Sequence, residues 1–171
     1  MIGIRLTTEN EVNELLEIQR QAFLPIYEEY HDEGNPCLRG REDITCRLES
    51  PNFLYFTVLC DGKTVGGLMY KIKGKTPFVE KLGRGEYYLS RVYVLPENQG
   101  KGVATQAILL SEKHLKNPKK LYVDFPEKLQ KNRRCYEKAG YCDTGKRLET
   151  EPGMVLAAFE KTIKHKKFGL L

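Results

Sequence analysis

The residues with the sharpest chemical content stand in one short run, Gln99-Gly100-Lys101-Gly102. Two glycines separated by one residue let a main chain turn tightly and approach a ligand closely, because neither carries a Cβ. The segment before them, Glu86 to Leu95, is rich in Tyr and Val and ends at Pro96, while Val103, Ala107, Leu110 and His114 follow at helical spacing. A strand therefore delivers the chain through a glycine turn into a helix, whose first N–H groups and positive dipole end converge on one spot. Such a spot suits a phosphate. The run is not spelled as the nucleotide loop Gly-x-x-x-x-Gly-Lys-Ser/Thr and lacks the third glycine of the dinucleotide fingerprint. Alone, it does not separate a phosphate site from a tight connection.

The longer run Val94-Leu95-Pro96-Glu97-Asn98-Gln99-Gly100-Lys101-Gly102-Val103-Ala104 resembles the acetyl-CoA-binding motif of the GNAT family of N-acetyltransferases, Gln/Arg-x-x-Gly-x-Gly/Ala, with Gln99, Gly102 and Ala104 in its fixed places. Further on, Cys135-Tyr136-Glu137-Lys138-Ala139-Gly140-Tyr141 is similar to that family's second motif, Tyr-Glu-Lys-x-Gly-Phe/Tyr. The resemblance implies a sheet that splays beside the glycine turn, with the pantetheine arm of acetyl-CoA in the gap. Backbone groups of Val92, Tyr93 and Val94 would hold the arm and thioester. The N–H groups of Gly100, Lys101, Gly102, Val103, Ala104 and Thr105 would wrap the pyrophosphate, with Lys101 adding charge. Many members carry Asn seven residues before the motif tyrosine; Leu129 stands there, so either Asn132 offers pantetheine that hydrogen bond from another turn or the bond is missing.

The implied reaction needs a neutral amine, a donor for the oxyanion and a proton for the leaving thiolate. By resemblance Tyr136 is the general acid, and the N–H of Val94 is the oxyanion donor if the strand bulges there. Glu86, Tyr88 and Ser90 share one strand face at period two. Glu86 is the carboxylate among them and is expected to act as base through water, with Tyr88 against the substrate. Glu28, Glu29, Asp32 and Glu33 are expected to draw in a cationic amine such as a polyamine, an aminoglycoside or a peptide amine. Cys135 has no His or Asp in a recognisable nucleophile arrangement.

The elements that must position these residues read as follows. Ile2, Ile4 and Leu6 alternate as a strand, and Thr8 with Glu11 spells a capping box for a helix interrupted at Pro25. A helical turn and loop over 26–42 and a short helix over 43–49 follow. Residues from Asn52 alternate as a strand, and Asp61-Gly62 turns it into a return strand from Lys63 to Lys73. Lys73 to Gly85 reads as a mobile excursion with room for a helical turn over Thr76–Leu82. After the glycine turn and its helix come a strand through Leu121, Val123 and Phe125, a helix from Glu127 to Ala139 capped by Gly140, and two strands, Tyr141–Lys146 and Met154–Lys161. The order predicts one α/β domain over 1–171, a mixed, mostly antiparallel sheet flanked by helices, with a basic tail over 162–171.

Composition sets the outer bounds. The 171 residues, 40% hydrophobic and 30% charged, suit one globular core and exclude a fibre or a disordered tail. No apolar run is long enough for a membrane span and no leader is spelled, so a soluble cytoplasmic protein is expected. The five cysteines support neither a disulfide framework nor a metal site and read as reduced, buried thiols. The net charge of +5 is a net −6 over 1–60 and +11 over 61–171, which suits a protein handling a cation at one surface and an anion at another. The leading expectation is an acetyl-CoA-dependent N-acetyltransferase with an amine partner, with no membrane partner and with homodimerisation left open. A sensor that binds acyl-CoA without chemistry is the alternative. A nucleic-acid binder using Lys161, Lys164, Lys166 and Lys167 has no motif behind it.

Overall fold

The computed structural model describes residues 1–164. Strands β1 (Ile2–Leu6), β2 (Phe53–Cys60), β3 (Lys63–Lys71) and β4 (Glu86–Val94) run antiparallel, and β5 (Lys120–Pro126), β6 (Cys142–Glu151) and β7 (Met154–Thr162) complete a seven-stranded sheet in the order β1-β2-β3-β4-β5-β7-β6. Only β4 and β5 pair in parallel among the described residues, because helix α3 (Val103–Glu112) carries the chain across between them. The sheet is thus mixed and mostly antiparallel, as the element order predicts. At the β2–β3 hairpin both Asp61 and Gly62 take positive φ, the geometry an Asp-Gly pair favours.

Each face of the sheet has its own apolar layer. Phe56, Leu68, Tyr70 and Leu89 pack beneath α3 and α4 (Gln130–Lys138), while Tyr55, Met69 and Tyr93 pack beneath α1 (Val12–Tyr30) and α2 (Arg41–Glu49). Each fully buried large apolar side chain contributes about 1.5–3 kcal/mol. The second layer also holds a buried charge cluster: Arg91 of β4 donates to Asp43 of α2 at 2.7 Å and to Gln19 of α1 at 3.0 Å, and Arg47 also binds Asp43. Its guanidinium keeps the Asp43 carboxyl below its usual range despite burial.

Several expectations are corrected. The capping box is present, with Thr8 N–H donating to Glu11 at 2.8 Å, but it caps a short 3-10 turn that leads into α1. α1 then passes through Pro25 to Tyr30, where His31 closes it in the left-handed conformation. Proline leaves one carbonyl unpaired in a helix. Here tertiary contacts outweigh that loss: buried Asn35 donates to Phe23 O, and buried Gln19 donates to Pro36 O. α2 begins at Arg41. The 73–85 excursion forms no helical turn, because the Thr76 hydroxyl takes the Val79 N–H while Leu82 N–H reaches back to Gly74 O. α4 starts later than predicted since Glu127 N–H is committed to Val155 O.

β6 extends to Glu151, beyond the predicted Lys146. No cysteine is fully buried, and Cys46 and Cys142 are exposed. Thr162 belongs to β7 and Ile163 N–H donates to Lys119 O, so the predicted tail boundary moves outward; residues 165–171, including Lys166 and Lys167, lie outside the described residues. Lys161 is tied to Glu112 and Ala139 O at 2.7 Å each, which removes it from any free basic surface. Among the described residues no helix is long and apolar enough to cross a membrane.

Candidate active site

The site begins with one extra residue. Met69 pairs with Arg91 and Tyr70 with Leu89, so Ser90 bulges out of the β3–β4 ladder. A bulge adds local twist, and parallel pairing with β5 stops immediately before it, at Tyr88 opposite Tyr122. Beyond that rung β4 and β5 diverge. The bulge sits at Ser90 and not at Val94, where the sequence reading made the donor role depend on one, and it puts Arg91 instead of Ser90 on the face shared by Tyr88. Leu95 N–H donates to Val65 O, so antiparallel alternation turns the N–H groups of Val92 and Val94 away from β3 toward the gap. Val94 thus offers its N–H to the opening without a bulge, while its carbonyl accepts from Gln99 Nε2 at 2.9 Å.

A cavity of about 590 Å³ fills the gap, a size ordinary for a small-molecule site. Its walls are Val92–Val94, the turn residues Gln99, Gly100 and Gly102, Val103–Gln106 of α3, residues Leu129–Tyr136 around α4, and Phe23 and Ile26 of α1. At the turn, Gly100 and Gly102 take φ of 73° and 77°, and a Cβ on either would meet no protein atom within 4 Å. Space for a ligand, not crowding by protein, lies beside them. None of the N–H groups from Gly100 to Thr105 finds an acceptor at hydrogen-bonding geometry among the described residues; the first α3 bond runs from Gln106 N–H to Gly102 O. Six free donors at a positive helix end form an anion cradle. Lys131, Arg134 and Lys138 of α4 also line the cavity, whereas Lys101 does not. These cations were missed in the sequence because nothing there shows which face of α4 looks across at the turn.

Tyr136 stands in the cavity wall, 7% exposed, its ring held against Phe125 and Tyr141 at 5.1 and 6.0 Å between centroids. Its hydroxyl makes no hydrogen bond with the described residues. Burial raises this phenol far above its ordinary range, so it stays protonated and has a proton to donate at working pH. Near it, on β5 just past the last β4–β5 rung, lies Asp124, which sequence reasoning did not single out. Tyr88 donates to Asp124 Oδ2 at 2.7 Å. Burial lifts the Asp124 carboxyl to about 6, the Tyr88 bond opposing it. Its charge in turn adds to the raised pKa of Tyr136. A smaller cavity of about 30 Å³, bounded by Phe78, Tyr88, Tyr122, Asp124 and Phe159, adjoins the carboxylate.

Other predicted residues are not gathered here. Glu86 lies at the far end of β4, about 26 Å of strand rise from Val94, and lines neither cavity. Its carboxylate accepts from Gly83 N–H at 2.7 Å and Tyr122 OH at 3.1 Å, anchoring the 73–85 excursion. Glu28, Glu29, Asp32 and Glu33 line neither cavity; Asp32 accepts from Gly34 N–H in the loop after α1. Asn132 does face the larger cavity, with Leu129 beside it. Tyr93 contributes to its wall, and its hydroxyl meets Tyr55 OH at 2.7 Å across Gly67, where a Cβ would collide with the ring.

Comparison with known proteins agrees with the fold. Residues 12–141 match the model of the Acetyltransferase (GNAT) family. The structure is similar to the PaiA N-acetyltransferase of Thermoplasma acidophilum in complex with coenzyme A, at 16% identity and TM-score 0.74, over 95% of this chain and 99% of that one. It is similar to AAC(6')-Ib in complex with paromomycin and acetyl-CoA, at 19% identity and TM-score 0.73, over 94% and 93%. A chimera of the Vibrio cholerae spermidine N-acetyltransferase SpeG and hSSAT gives 13% identity and TM-score 0.69, over 94% and 95%. No curated protein matches in sequence.

Proposed function

The chain belongs to the acetyltransferase (GNAT) family, and on that premise we propose that it transfers an acetyl group from acetyl-CoA to a primary amine by direct attack on the thioester. The observation that carries this reading is the gap between β4 and β5, with six free N–H groups at one end and the unpartnered Tyr136 hydroxyl in its wall. Structural relatives crystallised with coenzyme A or acetyl-CoA, three of them with an aminoglycoside, support both substrates.

The residues fit acetyl-CoA. The N–H groups from Gly100 to Thr105 hold its pyrophosphate, and Lys131, Arg134 and Lys138 add positive charge beside it. Val92 and Val94 pair with the pantetheine arm as a missing strand would, and Asn132 offers it a side-chain bond. Acetyl-CoA supplies an activated acyl group. The Val94 N–H stabilises the oxyanion as the carbonyl is attacked. Tyr136 then gives its proton to the departing thiolate. Glu86 is too far along β4 to meet the reacting nitrogen directly.

Thiol release from acetyl-CoA, followed with a panel of amines, tests this reading against a sensor that only binds. Amine-dependent release is expected. Acetyl-CoA that raises the melting temperature while no amine prompts thiol release would establish the sensor instead.

A further inference from the structure

We propose that α4 selects the acyl donor by a second phosphate group: Arg134 and Lys138 bind the 3′-phosphate of coenzyme A, and thioesters without that group are poor donors. The inference rests on the transferase reading above. α4 presents two sides of opposite character. On one, Arg133 is spent within the protein, on Glu137 at 3.5 Å and Asp143 at 3.3 Å. On the other, Lys131, Arg134 and Lys138 recur at the three- and four-residue spacing of a single helix face, and all three line the larger cavity. Arg134 and Lys138 have neither an ion pair nor a side-chain hydrogen bond among the described residues. No carboxylate shares the cavity wall, so their charge is not answered from within it.

Two contacts fix where the stripe lies. Lys131 Nζ donates to Gln99 Oε1 at 3.4 Å, beside the glycine turn, and Thr105 Oγ1 donates to Cys135 Sγ at 3.5 Å, beside the first turn of α3. From Lys131 to Lys138 the helix rises about 10 Å. The stripe therefore starts at the anion cradle and runs past it. A diphosphate, two phosphorus centres joined through one oxygen, is much shorter than that and already faces six N–H groups and Lys131. Arg134 and Lys138 are left for a second anionic group on the same ligand. In coenzyme A that group is the phosphate on the 3′ oxygen of the ribose, set apart from the diphosphate by the sugar. A guanidinium offers it two parallel N–H bonds and an ammonium adds a point charge. An acyl group carried on phosphopantetheine alone brings no such phosphate, so the stripe favours the coenzyme A thioester over an acyl carrier.

Calorimetric titration with coenzyme A and with 3′-dephospho-coenzyme A tests this without any turnover. Wild type should bind coenzyme A about tenfold or more tighter, the range of charge-assisted contacts at a solvent-facing rim. The double variant Arg134→Gln, Lys138→Gln should bring the two ligands within about threefold of each other by weakening coenzyme A alone. Lys131→Gln should weaken both alike. All three side chains are exposed, and unchanged melting temperatures without ligand confirm that the variants fold. Equal binding of the two ligands by wild type, or a double variant that weakens both alike, would overturn the assignment and leave Arg134 and Lys138 as diffuse positive charge. Binding of neither ligand would overturn the acetyl-CoA reading and this inference together. Discrimination between the ligands with no thiol released from acetyl-CoA by any amine would overturn the transferase reading alone.

Discussion

At the residue scale the site turns on two hydroxyl or carboxyl groups whose burial sets their protonation. Tyr136→Phe removes only a proton donor, so kcat should fall about 10- to 1,000-fold with little change in acetyl-CoA affinity; unchanged turnover with chemistry rate-limiting would make Tyr136 a packing residue. The burial of Asp124 carries a cost. Its pKa is raised in the folded protein, so the native state binds more protons than the unfolded chain between about pH 4 and pH 6, and stability falls as pH rises through that window. Asp124→Asn should therefore melt higher than wild type at pH 8 and lose that advantage near pH 4, by about 2 kcal/mol at the upper end. Tyr136 was legible in the sequence because its helix motif surrounds it. Asp124 was not, since β5 reads as an alternating strand with a polar outward residue, and its partner Tyr88 lies 36 positions away on another strand.

At the element scale the bulge at Ser90 opens the gap and the glycine turn closes one end of it. The strand–turn–helix order could be read from spacing, but the bulge could not. It depends on the register of β3 against β4, which no local pattern records. Gly102→Val adds strain at positive φ, about 1–3 kcal/mol, and fills the cradle where no protein atom stands. Acetyl-CoA affinity should fall at least about tenfold, measured by calorimetry, beyond what the strain alone removes. The α1–α2 roof depends on Arg91. Asp43→Ala leaves that guanidinium buried with Gln19 as its remaining partner and should cost about 3 kcal/mol of unfolding free energy in urea titrations, a surface-like loss below 1 kcal/mol contradicting it.

At the scale of the whole molecule, the split of net charge, −6 before residue 61 and +11 after it, has a structural counterpart on one side only. The basic part supplies Lys131, Arg134 and Lys138 to the larger cavity. The acidic cluster Glu28, Glu29, Asp32 and Glu33 stays outside both cavities. Raising salt from about 50 to 500 mM should therefore weaken acetyl-CoA binding strongly, whereas neutralising the four acids should change the amine KM about twofold or less. The account stands most directly on one measurement: mass spectrometry of the products formed from acetyl-CoA and a primary amine, with free coenzyme A quantified in the same sample. Acetylated amine and free thiol in equal amounts, both strongly reduced in Tyr136→Phe, are the predicted result. Free thiol without acetylated amine, or neither product from an enzyme that binds acetyl-CoA, would contradict it.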